Sequence, residues 1–175
     1  MTNRERQRRF EALLREHRRI VFKVAAAYAG GVNDRDDLAQ EIAVQLWRSF
    51  GRFDERRAKF STWMYRVALN VAVSHLRQAR RAGTDRVERL DGALREHIAD
   101  DAAPHEAAER NERVAVLRTF IGGLDPLNRA LVLLYLDGRG YAEIAEVLGI
   151  SETNVATKLN RIKQKLRKGM AQEKE

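Results

Sequence analysis

The chain has 175 residues, no cysteine and a formal net charge of +8. This length suits one ordinary domain or two small ones, and the lack of cysteine excludes disulfides, thiolate nucleophiles and thiolate metal sites. The basic excess fits a polyanionic partner, either nucleic acid or an anionic membrane surface. Because no apolar run approaches eighteen residues, we expect no membrane-spanning helix and a cytoplasmic protein.

Charge and composition divide the chain into three parts. Residues 1–82 carry 18 basic and 9 acidic side chains, residues 83–112 carry 4 and 9, and residues 113–175 carry 11 and 7. The middle part has few large apolar residues and several Gly and Pro, as is typical of a tether. The composition therefore predicts an all-α protein, with two small helical domains joined by a flexible acidic linker.

Three start signals help to place the helices. Asn33 or Asp34 suits the N-cap of one helix, Ser61 suits the N-cap of another, and Pro126 suits a first turn. Apolar spacing and these signals predict helices over about 4–17, 19–29, 34–50, 62–81, 106–121 and 126–137.

The stretch GYAEIAEVLGISETNVATKLNRIKQKL, residues 140–166, predicts a helix-turn-helix. Apolar residues recur three or four apart on both sides of Gly149, which suits the left-handed position that ends a helix. Ser151 can cap the second helix by accepting from its first free amides. A short helix, a tight turn and a longer helix together form this motif.

The outward face of that second helix carries amide, hydroxyl and basic side chains. Such side chains contact base edges and phosphates in a major groove. A helical hairpin with a merely solvated basic face is the alternative. The predicted DNA-contacting residues are Ser151, Glu152, Thr153, Asn154, Thr157, Lys158, Arg161 and Lys165.

An acidic stripe is predicted on the helix that begins near residue 34. Asp34, Asp37 and Glu41 are three and four residues apart, so they share one face of the helix. An acidic face within a basic domain is suited to a basic protein surface rather than to DNA. Alternatively, these acids only complement the helix dipole and remain in water.

A third pattern mixes aromatic and basic residues between residues 52 and 81. Phosphates need charge and unstacked bases need a flat partner, so this mixture suits single-stranded nucleic acid. Trp63 could equally be a core residue. The basic and polar residues of this pattern are Arg52, Arg56, Arg57 and Lys59 in a loop, then Arg66, Asn70, Ser74, Arg77 and Arg81 on a helix.

An enzyme is not expected. The four histidines are scattered, and HEAAE at His105 has Glu109 where a zinc-protease motif requires a second His. No phosphate-binding Gly loop and no catalytic triad stand out, so we expect neither a cofactor nor a metal.

The chain resembles bacterial sigma factors of the small extracytoplasmic-function (ECF) group in four ordered stretches. These are DRDDLAQEIAVQLWRSF, FSTWMYRVALNVAVSHLRQARR, LDPLNRALVLLYLDGRGYAEIAEVLGISETNV and the basic helix that follows. The resemblance implies a protein that binds core RNA polymerase and directs it to promoters. An anti-sigma factor is an additional candidate partner.

The resemblance also assigns roles along the chain. It implies polymerase docking by the segment that holds Asp37, Leu38, Gln40 and Glu41, with Asp34 beside them and Leu38 as an apolar anchor. Residues 1–82 would also recognise and melt the minus-ten element, residues 83–112 would connect through the polymerase, and residues 113–175 would read the minus-thirty-five element. Ser74 departs from the family, whose members often carry Asp there.

One other class of protein also fits the helix-turn-helix. A conventional transcription regulator would bind duplex DNA without polymerase, usually as a dimer on paired half-sites. Such a regulator has no use for an acidic stripe followed by an aromatic and basic helix, so the first domain distinguishes the two classes.

Overall fold

The computed structural model describes residues 2–82 and 104–172, with residues 104–111, 170 and 172 described by their backbone alone. These residues form helices and connecting turns with no strand, which confirms the predicted all-α class. The helices are α1 (Asn3–Tyr28), α2 (Val32–Ser49), α3 (Phe60–Arg81), α4 (Pro104–Gly122), α5 (Pro126–Leu136), α6 (Tyr141–Leu148) and α7 (Glu152–Gln172), with a short 3-10 turn at Phe50–Arg52.

Two compact units are present, one built from α1 to α3 and the other from α4 to α7. This division agrees with the predicted pair of helical domains. Most of the predicted flexible linker, residues 83–103, lies outside the described residues, and its last part, residues 104–112, begins α4. Within the described ranges, no helix is long and apolar enough to cross a bilayer.

The first unit is a three-helix assembly in which each helix packs against the other two. Leu38, Ile42 and Leu46 are fully buried, and their spacing of four places them on one side of α2. Val24 of α1 and Met64 of α3 are equally inaccessible to solvent. The core therefore requires α2 to turn its other side outward.

Phe50 lies at the centre of an aromatic cluster at one end of this unit. Its ring centroid lies 5.2 Å from that of Phe10, 6.1 Å from that of Phe53 and 6.3 Å from that of Trp63. Such tilted or offset rings stabilise a structure beyond the area they bury. The aromatic cluster consists of Phe10, Trp47, Phe50, Phe53, Phe60 and Trp63.

The prediction of two helices in residues 4–29 was wrong, because α1 runs without a break. A capping box starts it: the Thr2 hydroxyl accepts from the Glu5 N–H, and the Glu5 carboxylate accepts from the Thr2 N–H. Arg18, at the expected boundary, is a good helix former. Neither Gly nor Pro interrupts the helix before Tyr28.

Two predicted N-caps of the first unit were also wrong. α2 begins after Gly31 without a side-chain cap, and Asp34 lies in its first turn. α3 begins after Lys59, and Ser61 is buried within its first turn. In both places the helix begins earlier than the polar residue indicates. Ser61 is buried inside α3, and the Asp34 carboxylate accepts from the Gly30 N–H ahead of α2.

In the second unit, local sequence signals predicted the helix ends correctly. Asp125 caps α5 and Pro126 occupies its first turn. Gly149 ends α6 with φ 68°, the left-handed conformation expected there. The Ser151 hydroxyl accepts from the Asn154 N–H at 3.1 Å, which confirms it as the cap of α7. α6 and α7 thus form the predicted helix-turn-helix.

The aromatic cluster predicts that alanine substitutions at two phenylalanines will differ greatly in their effect on stability. Phe50 is 4% exposed whereas Phe22 is 53% exposed. We expect Phe50→Ala to lower the free energy of unfolding of the first unit by about 3–5 kcal/mol and Phe22→Ala to change it by less than about 0.5 kcal/mol. Both tryptophans, Trp47 and Trp63, lie in this unit, so urea unfolding followed by tryptophan fluorescence measures it alone. Equal effects of the two substitutions would contradict the cluster.

Substitution by alanine at two exposed glycines should change the stability of the second unit in opposite directions. Neither a Cβ at Gly149 nor one at Gly169 would meet a neighbouring atom within 4 Å. Gly149 has a positive φ, so Gly149→Ala should lower stability by about 1–2 kcal/mol. Gly169 lies within α7, so Gly169→Ala should raise stability by up to about 1 kcal/mol. Tryptophan fluorescence does not report on the second unit, whereas circular dichroism detects helix in both units. The additional urea transition seen by circular dichroism would therefore give the stability change of each variant.

Candidate protein and nucleic-acid interfaces

The outer face of α2 forms a shallow groove of acidic and amide side chains. Asp37, Gln40 and Glu41 are exposed, as the sequence predicts. Val44 is 47% exposed and supplies an apolar surface in this row. The groove is lined by Asp37, Gln40, Glu41, Val44, Gln45 and Arg48 of α2 and by Val71 of α3.

Leu38 does not belong to this surface, contrary to its predicted role as an apolar anchor. Its side chain is fully buried because position 38 lies on the core stripe with Ile42 and Leu46. Val44 is the exposed apolar residue that lines the groove.

Two of the predicted acids are linked to a histidine of α3. Asp34 Oδ1 lies 2.7 Å from His75 Nε2, and Glu41 Oε2 lies 3.5 Å from His75 Nδ1. Asp34 Oδ2 also accepts from the Gly30 N–H at 2.7 Å. Asp34 therefore helps to hold α2 against α3, whereas the Asp37 side chain makes no hydrogen bond or ion pair with any residue described here.

Sequence reasoning missed His75 as a member of this surface. It lies 41 residues from Asp34, so no local spacing connects them. Its presence means that the acidic face is shaped by α3 as well as α2.

The stretch from the last residue of the 3-10 turn to α3, residues 52–59, is called the basic loop here. It carries Arg52, Arg56, Arg57 and Lys59, all exposed. Asp54, which the sequence analysis did not single out, lies among them. Its Oδ1 accepts from the Arg56 N–H at 3.0 Å and from Arg56 Nε at 3.2 Å. These hydrogen bonds lower the pKa of Asp54. The loop is also joined to α1 by an ion pair between Arg9 and Glu55.

Trp63 lies partly exposed beside this loop. Its ring centroid is 5.1 Å from that of Phe53 and 5.3 Å from that of Phe60. Trp63 thus packs in the aromatic cluster while remaining partly exposed, and its contact with nucleic acid stays a prediction.

The polar stripe of α3 is exposed along its whole length. The Ser74 hydroxyl donates to the Asn70 carbonyl oxygen at 2.9 Å, so its proton is engaged by its own helix. A contact from Ser74 to nucleic acid would use its lone pairs. The exposed residues of this stripe are Arg66, Asn70, Ser74, Arg77 and Arg81.

α7 turns most of its predicted DNA-contacting residues outward. Val155, Leu159 and Ile162 are buried, and the exposed side lies opposite them. Ser151 uses its oxygen as the helix cap, and Lys158 is only partly exposed. The predicted residues that are exposed on α7 are Glu152, Thr153, Asn154, Thr157, Arg161 and Lys165.

Asn160 and Gln164 lie on the same exposed side of α7 and were not predicted. Their spacing of three and seven from Thr157 was the available signal, since such residues share a helix face. Two further amides therefore extend the polar surface of the second helix.

Lys163 points away from this side of α7. Its Nζ lies 2.9 Å from the Tyr135 hydroxyl and 4.3 Å from the centroid of the Tyr135 ring. The hydrogen bond to Tyr135 raises the pKa of Lys163, which keeps the ammonium charged. Tyr135 of α5 thus holds this lysine of α7 against α5.

Across the two described stretches, no cluster of three or more His, Asp or Glu could hold a metal ion. The surfaces offer charge, amides and stacking rings. This chemistry suits recognition of macromolecules.

Both units of the chain match known protein families. The chain matches Sigma-70 region 2 over residues 13–82 and Sigma-70, region 4 over residues 115–166. It is 30% identical to the ECF RNA polymerase sigma factor SigK of Mycobacterium ulcerans, covering 75% of this chain and 68% of that protein. It is 29% identical to the ECF RNA polymerase sigma factor SigE of Mycolicibacterium smegmatis, covering 93% of this chain and 62% of that protein, less than two thirds of that relative's length.

The fold also occurs in a solved structure. The sigma factor RpoE from Bartonella quintana, in complex with the anti-sigma factor NepR, has a TM-score of 0.61 and 14% identity, covering 93% of this chain and 94% of that one. At this identity the likeness supports the fold alone, and the family follows from the sequence matches. The chain belongs to the ECF group of RNA polymerase sigma factors.

Proposed function

We propose that this protein binds core RNA polymerase and directs it to a set of promoters. The observation that carries the proposal is the presence, in one chain, of both sigma regions in the family order. The protein catalyses no reaction, because the polymerase performs the chemistry, and it acts in the cytoplasm. Residues 1–82 dock on polymerase and open the minus-ten element, residues 83–112 connect, and residues 113–175 read the minus-thirty-five element.

Polymerase docking uses the groove on α2. Asp37, Gln40 and Glu41 supply charge and hydrogen bonds, and Val44 supplies the apolar contact. Charges at the rim of an interface mainly set orientation and the rate of association. The docking partner is therefore a basic surface with an apolar residue that can cover Val44.

Minus-ten recognition uses the basic loop and α3. Arginines of the loop meet phosphates, and an unstacked base is held against the partly exposed Trp63 and the Asn70 face of α3. Unstacking a base costs a few kcal/mol. Because Trp63 is already fixed by Phe53 and Phe60, the stacking surface exists before DNA arrives.

Minus-thirty-five recognition uses the exposed side of α7. Glu152, Asn154 and Thr157 lie where base edges would be, while Arg161 and Lys165 meet phosphates. A good bidentate base contact discriminates by about 1–3 kcal/mol. The two DNA contacts belong to one protein on one polymerase, so each raises the effective concentration of the other and neither needs to bind tightly alone.

An anti-sigma factor is a further proposed partner. The solved relative from Bartonella quintana is bound to one, and this chain has the same fold. Such a partner would act most directly by covering the α2 groove, since polymerase would then lose its docking surface.

The central test exchanges one charge on the docking groove. Asp37 lines the groove. Asp36, the preceding residue, does not line it and pairs instead with Arg35. We expect Asp37→Lys to weaken the affinity for core polymerase by roughly tenfold or more, because it places a cation against a basic surface. Asp36→Lys, with the same charge change, should weaken it much less.

Both variants would be assayed for polymerase binding by fluorescence anisotropy and for run-off transcription on sheared DNA of the source genome. Discrete start sites that the wild type gives and Asp37→Lys loses would support docking at the groove. Tight duplex binding without polymerase, and no start sites, would instead support a conventional regulator.

A second test compares two cations of α7. Arg161 faces outward, and Lys163 is held against Tyr135. We expect Arg161→Gln to weaken binding of the polymerase-bound protein to promoter duplex and to reduce the slope of log affinity against log salt by about 0.9, the loss of one phosphate contact. Lys163→Gln should leave that slope nearly unchanged. The slopes would be measured by filter-binding titrations at several salt concentrations. A slope for Arg161→Gln equal to those of Lys163→Gln and the wild type would contradict a phosphate contact by Arg161.

A further inference from the structure

The basic loop contains an acid that already occupies two of its arginines. Asp54 Oδ1 accepts from Arg56 Nε at 3.2 Å, and its Oδ2 accepts from Arg56 Nη2 at 3.4 Å. The same Oδ2 lies 3.9 Å from Arg57 Nε. One carboxylate therefore faces the guanidinium groups of two residues that we assign to minus-ten DNA.

The backbone holds this carboxylate in place. Asp54 Oδ1 also accepts from the Arg56 N–H at 3.0 Å, and the Asp54 carbonyl oxygen accepts from the Arg57 N–H at 3.0 Å. The preceding residue, Phe53, packs in the aromatic cluster 5.3 Å from Phe60. Asp54 is thus fixed at the base of a turn whose start is anchored.

The arginines themselves remain accessible. The Arg56 and Arg57 side chains are 90% and 87% exposed, whereas that of Asp54 is 32% exposed. Exposed ion pairs are weak because water and salt screen them. A phosphate presents oxygens that accept from guanidinium as a carboxylate does, so it can replace Asp54 without moving the turn.

We propose that Asp54 is a specificity-determining residue that occupies Arg56 and Arg57 in place of phosphate and restrains binding to nucleic acid that offers phosphates alone. The proposal rests on the proposed function, which assigns the loop to the minus-ten strand. On a promoter, polymerase and α7 hold the loop close to the strand, and this effective concentration overcomes the competition. The free protein has no such assistance, so its non-specific binding is suppressed.

The test compares Asp54→Asn with Asp36→Asn in the full-length protein. Both remove one negative charge from the first unit, but Asp36→Asn releases only Arg35 of α2, whereas Asp54→Asn releases the arginines of the basic loop. Asparagine keeps an oxygen that can accept from the Arg56 N–H, so the turn is retained. The probe is a fluorescein-labelled single strand of mixed sequence, titrated by anisotropy over a range of sodium chloride concentrations.

Asp54→Asn should bind the strand up to about fivefold more tightly at low salt, the range expected for loss of an exposed ion pair. Its slope of log affinity against log salt should steepen by about 0.7 for each arginine released to a phosphate. Asp36→Asn should leave the slope unchanged. Because Arg56 lowers the pKa of Asp54, the carboxylate is charged throughout the neutral range. The difference between the wild type and Asp54→Asn should therefore be constant from about pH 6 to 8 and disappear only in acid.

A third variant, Asp54→Ala, separates charge from turn formation. If Asp54 only shapes the turn, Asp54→Asn will match Asp36→Asn in affinity and slope while Asp54→Ala binds more weakly, and the proposal is overturned. Unchanged tryptophan fluorescence of Trp63 would show that the variants are folded. Failure of the wild type to start transcription on polymerase would overturn the proposed function itself, whereas normal transcription with an unchanged slope for Asp54→Asn would overturn this inference alone.

Discussion

The packing of Phe50 is the constraint on which the first unit depends. This residue follows α2 directly, and its ring meets a ring of α1, a ring of the basic loop and two rings of α3. A single buried side chain thus fixes both ends of the loop that carries Arg52 to Lys59. The conformational entropy of ordering this loop is lost when the protein folds, so less remains to be lost when DNA binds.

The same helix supplies the core and the groove proposed for docking. A helical period of 3.6 residues places Leu38, Ile42 and Leu46 inward, and it necessarily places Asp37, Gln40 and Val44 on the other side. The position of the groove is therefore a consequence of core packing. This is why Leu38, which the family resemblance includes in the docking segment, is inaccessible to a partner although its neighbours are exposed.

Local chemistry was readable from the sequence in the second unit but not at the helix starts of the first, and long-range pairing was not readable at all. The cap at Ser151, the left-handed Gly149 and the first-turn Pro126 depend on a few adjacent residues, and each was predicted correctly. His75 meets Asp34 across 41 residues and Arg9 meets Glu55 across 46, and such pairs exist only once the helices have packed. The false break in α1 has the same origin, because burial of one continuous face outweighs a weak boundary signal.

The formal charge of the chain is a poor guide to the charge that DNA meets. Asp54 already faces Arg56 and Arg57, Asp137 and Glu143 face Arg139, and Tyr135 holds Lys163. In the described residues, no hydrogen bond or ion pair engages the side chains of Arg52 and Lys59 of the loop or of Arg161 and Lys165 of α7. A phosphate that meets these four displaces only water and counterions, whereas one that meets Arg56 must displace a carboxylate. Under the proposed function, the cations of the DNA-contacting surfaces therefore fall into two groups. The first group attracts any nucleic acid, whereas Arg56 and Arg57 contact phosphate only when it displaces Asp54. Only the second group can make non-specific binding weak while promoter binding on polymerase stays strong.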